Sequence, residues 1–130
     1  MDITPLVGSQ TQIIQSYGDH GFVVSGAKYQ SSIIVMPDKT LEWPMIDTAA
    51  ITINDLKWQH FAPLSNDDID ILLLGTGDHF AFASPHLRQE LSAQNISIDT
   101  MDNGAACRTY NVLVAEGRRV AAALMIKNSK

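Results

Sequence analysis

An anion held by backbone amides is the first chemistry this chain suggests. Gly75-Thr76-Gly77-Asp78 follows directly on the apolar run Ile69 to Leu74. Glycines beyond the carboxyl end of a buried strand let the backbone approach an anion, and a nearby helix N-terminus adds unpaired N–H groups. Asp99 and Asp102 fall roughly where a dinucleotide fold keeps its ribose-binding acid. Three features oppose a dinucleotide site. Phe80 stands where the third glycine of that fingerprint belongs, the next helix starts late, and Asp78 would set a negative charge against a phosphate. A tight turn that lets the chain leave a crowded sheet edge is the preferred reading of the glycines.

Cys107 offers a different chemistry. It sits about one turn into a helix starting near Asn103, with Arg108 beside it. A helix N-terminus and a cation together lower a thiol pKa and make a nucleophile. Ala105, Ala106, Tyr110 and Val114 flank Cys107 at helical spacing, so a small side chain facing the core is the preferred reading. Arg108, Tyr110, Asn111, Glu116 and Arg118 surround the same helix and its exit. Helical spacing puts Cys107, Tyr110 and Asn111 on one side and turns Arg108 away. Arg and Asn can orient an anionic or amide ligand, or they can satisfy backbone groups of neighbouring loops; both readings stand. The ligand-binding candidates are therefore Gly75, Gly77, Asp102, Asn103, Arg108, Asn111 and Arg118. Cys107 is the catalytic candidate.

Other chemistries find little support. His20, His60, His79 and His86 have none of the i, i+4 spacings of a helical metal site. No serine lies in a G-x-S-x-G elbow, and Asp78, Asp99, Asp102 and Glu116 show no pairing for acid–base work. The acids of Ser65-Asn66-Asp67-Asp68 read as a solvated turn rather than a cation loop. No metal and no cofactor are expected.

These residues need elements to position them. From Gln12 to Trp43, short apolar or β-branched runs alternate with turns at 18–21, 26 and 37–39, which reads as an antiparallel meander. Ile53, Leu56 and Phe61 suggest a short helix between Thr52 and Phe61. The back half alternates strands and helices. Ile69 to Leu74 is a strand covered on both faces, and Ser84-Pro85 opens a helix with a serine cap and proline in its first turn. Ile96 to Met101 is a strand, Asp102 or Asn103 caps a second helix stopped by Gly117, and Val120 to Ile126 is the last strand. Helix-length crossovers imply a largely parallel core, so the order is strands first, then β-α-β-α-β.

The chain has 130 residues, enough for one domain over 1–130 with residues 1–10 a loose arm. Nine basic residues against fourteen acidic ones give a charge of −5, which argues against a nucleic-acid partner. A single cysteine cannot form an internal disulfide and fits a reducing compartment. The N-terminus resembles neither a signal peptide nor a mitochondrial presequence, and no apolar run is long enough to span a bilayer. The expected location is cytoplasmic.

Four stretches together resemble a widespread family of small proteins of unknown function. They are Gly26-Ala27-Lys28-Tyr29 with Ser32-Ile33-Ile34-Val35; Leu72 to Gly77; Met101 to Asn111; and Glu116 to Leu124. The family includes the mitochondrial respiratory complex I assembly factor 3 and an adipogenesis-associated protein. The resemblance covers most of the chain, from about Gln12 to Ile126. It implies an α/β fold of three layers: a mixed central sheet with an N-terminal antiparallel β layer and a C-terminal β-α-β-α-β unit. It implies no established catalytic activity, and points instead to a non-catalytic protein-binding or assembly factor with a protein partner. The rival class is a small-molecule binder or enzyme using the Gly75–Gly77 crevice and the helix start at Asn103. Trp43 and the exposed ends of the β meander are further interface candidates, although a tryptophan at an edge as often just covers a core.

Overall fold

Residues 11–18, 21–43, 56, 61, 64, 69–77 and 82–126 are described by the computed structural model. The arm at 1–10, the loop at 65–68, Asp78, His20, His60 and His79 lie outside them. So does the expected helix between Thr52 and Phe61, except for Leu56 and Phe61, which are both buried.

The first layer follows from two-residue periodicity and short turns. Strands β1 (Ile14–Gly18), β2 (Gly21–Val24) and β3 (Ala27–Tyr29) form an antiparallel sheet in that order. Phe22 and Val24 alternate inward from β2. Val24 pairs with Ala27 across Ser25 and Gly26, whose φ values of 46° and 88° both lie in the left-handed region. Such a turn matches the twist of a two-residue hairpin and favours glycine. That turn creates β3 where the sequence reading runs from Gly26 to Ser31 without a strand.

The front half then divides. Strands β4 (Ile33–Met36) and β5 (Lys39–Glu42) pair as a hairpin, yet they join a second sheet rather than extending the first. Adding β6 (Ile71–Gly75), β7 (Ser97–Met101) and β8 (Val120–Leu124) completes five strands in the order β5-β4-β8-β6-β7. β6 runs parallel to both β7 and β8, while β4 is antiparallel to β8, so the sheet is mixed. The single meander expected from Gln12 to Trp43 is therefore split between two sheets. β4 is buried at all four positions, and such a strand needs covered neighbours on both faces.

Helix α1 (Pro85–Ala93) links β6 to β7, and α2 (Asn103–Ala115) links β7 to β8. Their starts are as the sequence predicts. The Ser84 hydroxyl accepts from Leu87 N–H with Pro85 following, and the Asp102 carboxylate accepts from Ala105 N–H. Gly117, at φ 79°, ends α2. The two crossovers step in opposite directions from β6 and β7, and the two helices lie on opposite faces. Leu87 and Leu91 of α1 pack on Ile34, Leu72, Leu74 and Ala123. Cys107, Tyr110 and Val114 of α2 share the other face with Phe22 and Val24 of the small sheet. Central β8, Val-Ala-Ala-Ala-Leu, is buried throughout, and its small side chains let both layers approach closely. Three layers result, with the small sheet and α2 together forming one of them.

Candidate functional site

The carboxyl ends of β6, β7 and β8 meet the N-terminus of α2, which brings Gly75, Gly77, Asp102 and Asn103 together. Asn103 occupies the centre. Its Oδ1 accepts from Gly77 N–H at 3.0 Å, and its Nδ2 donates to the Met125 carbonyl at 2.7 Å. Its own N–H donates to the Gly77 carbonyl at 2.7 Å. One side chain thus ties the ends of β6 and β8 to the start of the helix between them. Thr76 N–H donates to Met101 O, and Met125 N–H to Gly75 O, which closes the same end of the sheet.

Two glycines allow this closure. A Cβ on Gly75 would come within 2.5 Å of Asn103 Oδ1 and 2.8 Å of Leu124 Cδ2, so the space beside Gly75 is filled by side chains. Gly77 sits at φ 90°, a conformation that glycine adopts without strain.

The other candidates lie elsewhere. Asn111 faces β1, where its Oδ1 accepts from Ile14 N–H at 3.0 Å and its Nδ2 donates to Ile14 O at 2.8 Å. This is the backbone-satisfying alternative that the sequence left open. Tyr110 makes a parallel tie by donating its hydroxyl to Gln12 O. Arg118 is exposed beyond the carboxyl end of α2, remote in the chain from the Asn103 end. Its neighbour Arg119 forms a two-point pair with Asp70, Nη2 to Oδ1 at 2.6 Å and Nε to Oδ2 at 3.2 Å. That pairing holds the Asp70 carboxyl below its usual range.

Cys107 takes the core-facing position that its helical spacing favours, and not that of a nucleophile. A nucleophile needs an accessible thiolate, whereas this side chain is 1% exposed in the second core cluster. Burial pushes the thiol up to about 12, and the nearby Arg108 charge offsets only part of that. Of the two readings of Trp43, the structure shows the core-covering one. Trp43 is buried, with its ring centroid 5.1 Å from that of Phe61, and it covers the core instead of forming an interface.

Arg108 does turn away from the core, and it meets a residue the sequence reading did not single out. Its Nη1 donates to the Tyr17 hydroxyl at 2.7 Å. The Tyr17 ring lies against Gly104, where an added Cβ would stand 3.1 Å from Tyr17 Cε2 and 3.2 Å from Arg108 Nη1. Tyr17 remains 44% exposed, and Val112, one turn beyond Arg108, is 56% exposed. Gly104 was the available signal, since glycine inside a helix often marks a close approach. No ion pair of Arg108 occurs among the described residues.

Two further features are minor. A shallow open depression of about 140 Å³ lies between Ser16, Phe22, Lys28 and Tyr29 on the small sheet. It is smaller than the roughly 300 Å³ at which small-molecule pockets begin. His86, on the surface, lies 3.6 Å from Glu90, and no cluster of metal-ligating side chains occurs among the described residues. No described helix is long and apolar enough to cross a membrane.

A mixed sheet with a helix on each face and a small antiparallel sheet beside one helix is also the arrangement of known structures. A Bordetella pertussis protein described as an Mth938-like domain superposes with a TM-score of 0.73 at 27% identity, covering 96% of this chain and 92% of that one. A Bordetella parapertussis protein gives 0.75 at 34% identity, with 89% and 96% covered. A Bartonella henselae protein described as an outer membrane protein gives 0.75 at 33%, with 92% and 98% covered. The fold class is therefore that of the Mth938-like domains. Within it, the chain belongs to the family described as protein of unknown function (DUF498/DUF598), whose model matches residues 14–125. Among curated relatives, the Xenopus tropicalis NADH dehydrogenase [ubiquinone] 1 alpha subcomplex assembly factor 3 is 29% identical over 117 residues. The match covers 90% of this chain and 62% of that protein. An uncharacterized Rhodobacter capsulatus protein is 32% identical over 112 residues, with 86% and 82% covered. The chain thus spans a little under two thirds of the length of the assembly factor.

Proposed function

We propose that this protein is a non-catalytic assembly factor that holds a protein partner on the face formed by Tyr17, Gly104, Arg108 and Val112. The observation that carries this reading is the Tyr17–Arg108 pair. An aromatic ring and a guanidinium, both exposed, are held in one geometry by their mutual hydrogen bond and by the glycine beneath the ring. Tyr and Arg dominate binding hot spots, and a side chain ordered before binding loses less entropy when the partner arrives. Arg108 donates here to a neutral hydroxyl, which leaves guanidinium N–H groups for a carboxylate on the partner. The assembly-factor relative supports the same class of function. The acidic balance of the chain favours a protein over a nucleic acid. The cytoplasm is the proposed location, and cell fractionation distinguishes it from the membrane location that the name of the Bartonella relative suggests.

The test is capture of partners by the tagged protein from its native cells, comparing wild type with Arg108→Glu. Because Arg108 is exposed, the variant should melt within a few degrees of wild type. A stoichiometric protein present with wild type and lost with Arg108→Glu is the expected result. Equal capture by both removes the Arg108 face from the proposal. Recovery of the bare chain under gentle conditions removes the protein-binding reading itself.

A further inference from the structure

Strand β7 is the outer strand of the central sheet, and β6 pairs with only one of its edges. Ser97 N–H donates to Asp70 O at 2.9 Å, and Met101 O accepts from Thr76 N–H at 2.9 Å. Ser97, Asp99 and Met101 therefore turn their backbone groups toward β6. A parallel ladder uses alternate residues of each strand, so the N–H and C=O groups of Ile98 and Thr100 point outward. Among the described residues, nothing bonds to those groups. The edge is well backed. Thr100 is buried, and half-buried Ile98 packs on the α1-side core. β7 carries none of the proline, lysine or bulge that blunts an exposed edge.

We propose that this edge receives an extended segment of a protein partner by antiparallel strand addition, with a Lys or Arg of that segment opposite Asp99. The proposal rests on the protein-binding reading above and adds a second contact with its own chemistry. Charge selects the occupant. Asp99 is exposed midway along the edge, between the two residues whose backbone groups point outward and bond to nothing among the described residues. The partner residue opposite it occupies a non-hydrogen-bonded position, where side chains approach most closely. A basic side chain is favoured there and an acidic one disfavoured. A second copy paired about this point would set Asp99 against Asp99, and the charge of −5 on each chain adds to the repulsion. The residues flanking the basic one would lie on the α1 side beside Ile98 and Thr100, where β-branched apolar side chains extend the core. The segment therefore has the pattern apolar–basic–apolar.

The test uses the isotopically labelled chain and two capped peptides, Thr-Val-Lys-Val-Thr and Thr-Val-Glu-Val-Thr. In the free chain the amides of Ile98 and Thr100 should exchange with solvent at least about 100-fold faster than those of Ser97 and Asp99. At millimolar concentration the lysine peptide should shift and protect the Ile98 and Thr100 amides, while the glutamate peptide should not. Asp99→Lys, at an exposed position, should reverse that preference. Thr100→Pro, which removes an outward N–H, should abolish binding. Slow exchange at Ile98 and Thr100 in a free monomer overturns the proposal, because the chain would then cover its own edge. A dimer protected at these amides also overturns it, by assigning the edge to a second copy. Shifts that are equal for both peptides, or that fall elsewhere, do the same. A captured cellular partner that Asp99→Lys still holds overturns the edge while leaving the protein-binding reading intact. Peptide binding without any cellular partner has the reverse meaning.

Discussion

At the scale of single residues, the polar side chains of α2 mostly serve the fold. Asn103 joins two strand ends, Asn111 joins helix to strand, and Asp102 caps. Each satisfies backbone groups that would otherwise be buried and unpaired, which costs about 1–3 kcal/mol per group. Two buried neighbours make stability sensitive to alkali. Burial raises the Cys107 thiol from 9.0 to about 12, and it raises the Tyr110 hydroxyl as well, with Asp38 adding to the effect. The native state then keeps protons that the unfolded chain releases. Stability is fully present below about pH 9 and falls as pH rises above it, by up to about 1.4 kcal/mol per pH unit for each group. The expected result is a lower urea midpoint at pH 10.5 than at pH 8, with a smaller difference in Cys107→Ala. A difference unchanged by that substitution would remove Cys107 as a source. For the same reason, a disulfide reagent at pH 8 should label Cys107 only at the rate of unfolding. Rapid labelling of the folded chain would return the thiol to the list of nucleophiles.

At the scale of elements, the end of β6 and the start of α2 form one joint. Gly75→Ala should lower stability by about 1–3 kcal/mol, because its Cβ meets Asn103 Oδ1 and Leu124 and something must shift. Urea denaturation checks the size of the effect. Gly75→Ala combined with Asn103→Ala should lose less than the sum of the two single losses, since removing the amide frees the space that the new methyl needs. Strict additivity would show that the clash lies with Leu124 instead. Much of this level was legible in the sequence. Ser84-Pro85 and Gly117 mark helix ends through capping and backbone preferences of the residues themselves. The partners of Gly75 were not legible, because Asn103 and Leu124 reach it from other elements.

At the scale of the whole molecule, the small sheet shares no strand with the central one. It is held by the apolar contacts of Ile14, Phe22 and Val24 and by the ties from Tyr110, Asn111 and Arg108. Asn111→Ala should therefore loosen β1 to β3 as a unit. Amides of Phe22 and Val24 should lose protection in hydrogen exchange while those of Leu72 to Leu74 keep theirs. Equal loss everywhere would mean that the two sheets unfold together. The sequence by itself determined the alternation of strands and helices, the helix caps and the inward side of α2. Those features depend on residues a few positions apart, through backbone preferences and periodic burial. Only the tertiary structure decided that β4 leaves the meander, that Asn111 reaches Ile14 across 97 positions and that Arg108 reaches Tyr17 across 91. Such partners are chosen when distant segments pack and buried polar groups must find whatever lies opposite, and no local pattern encodes that choice.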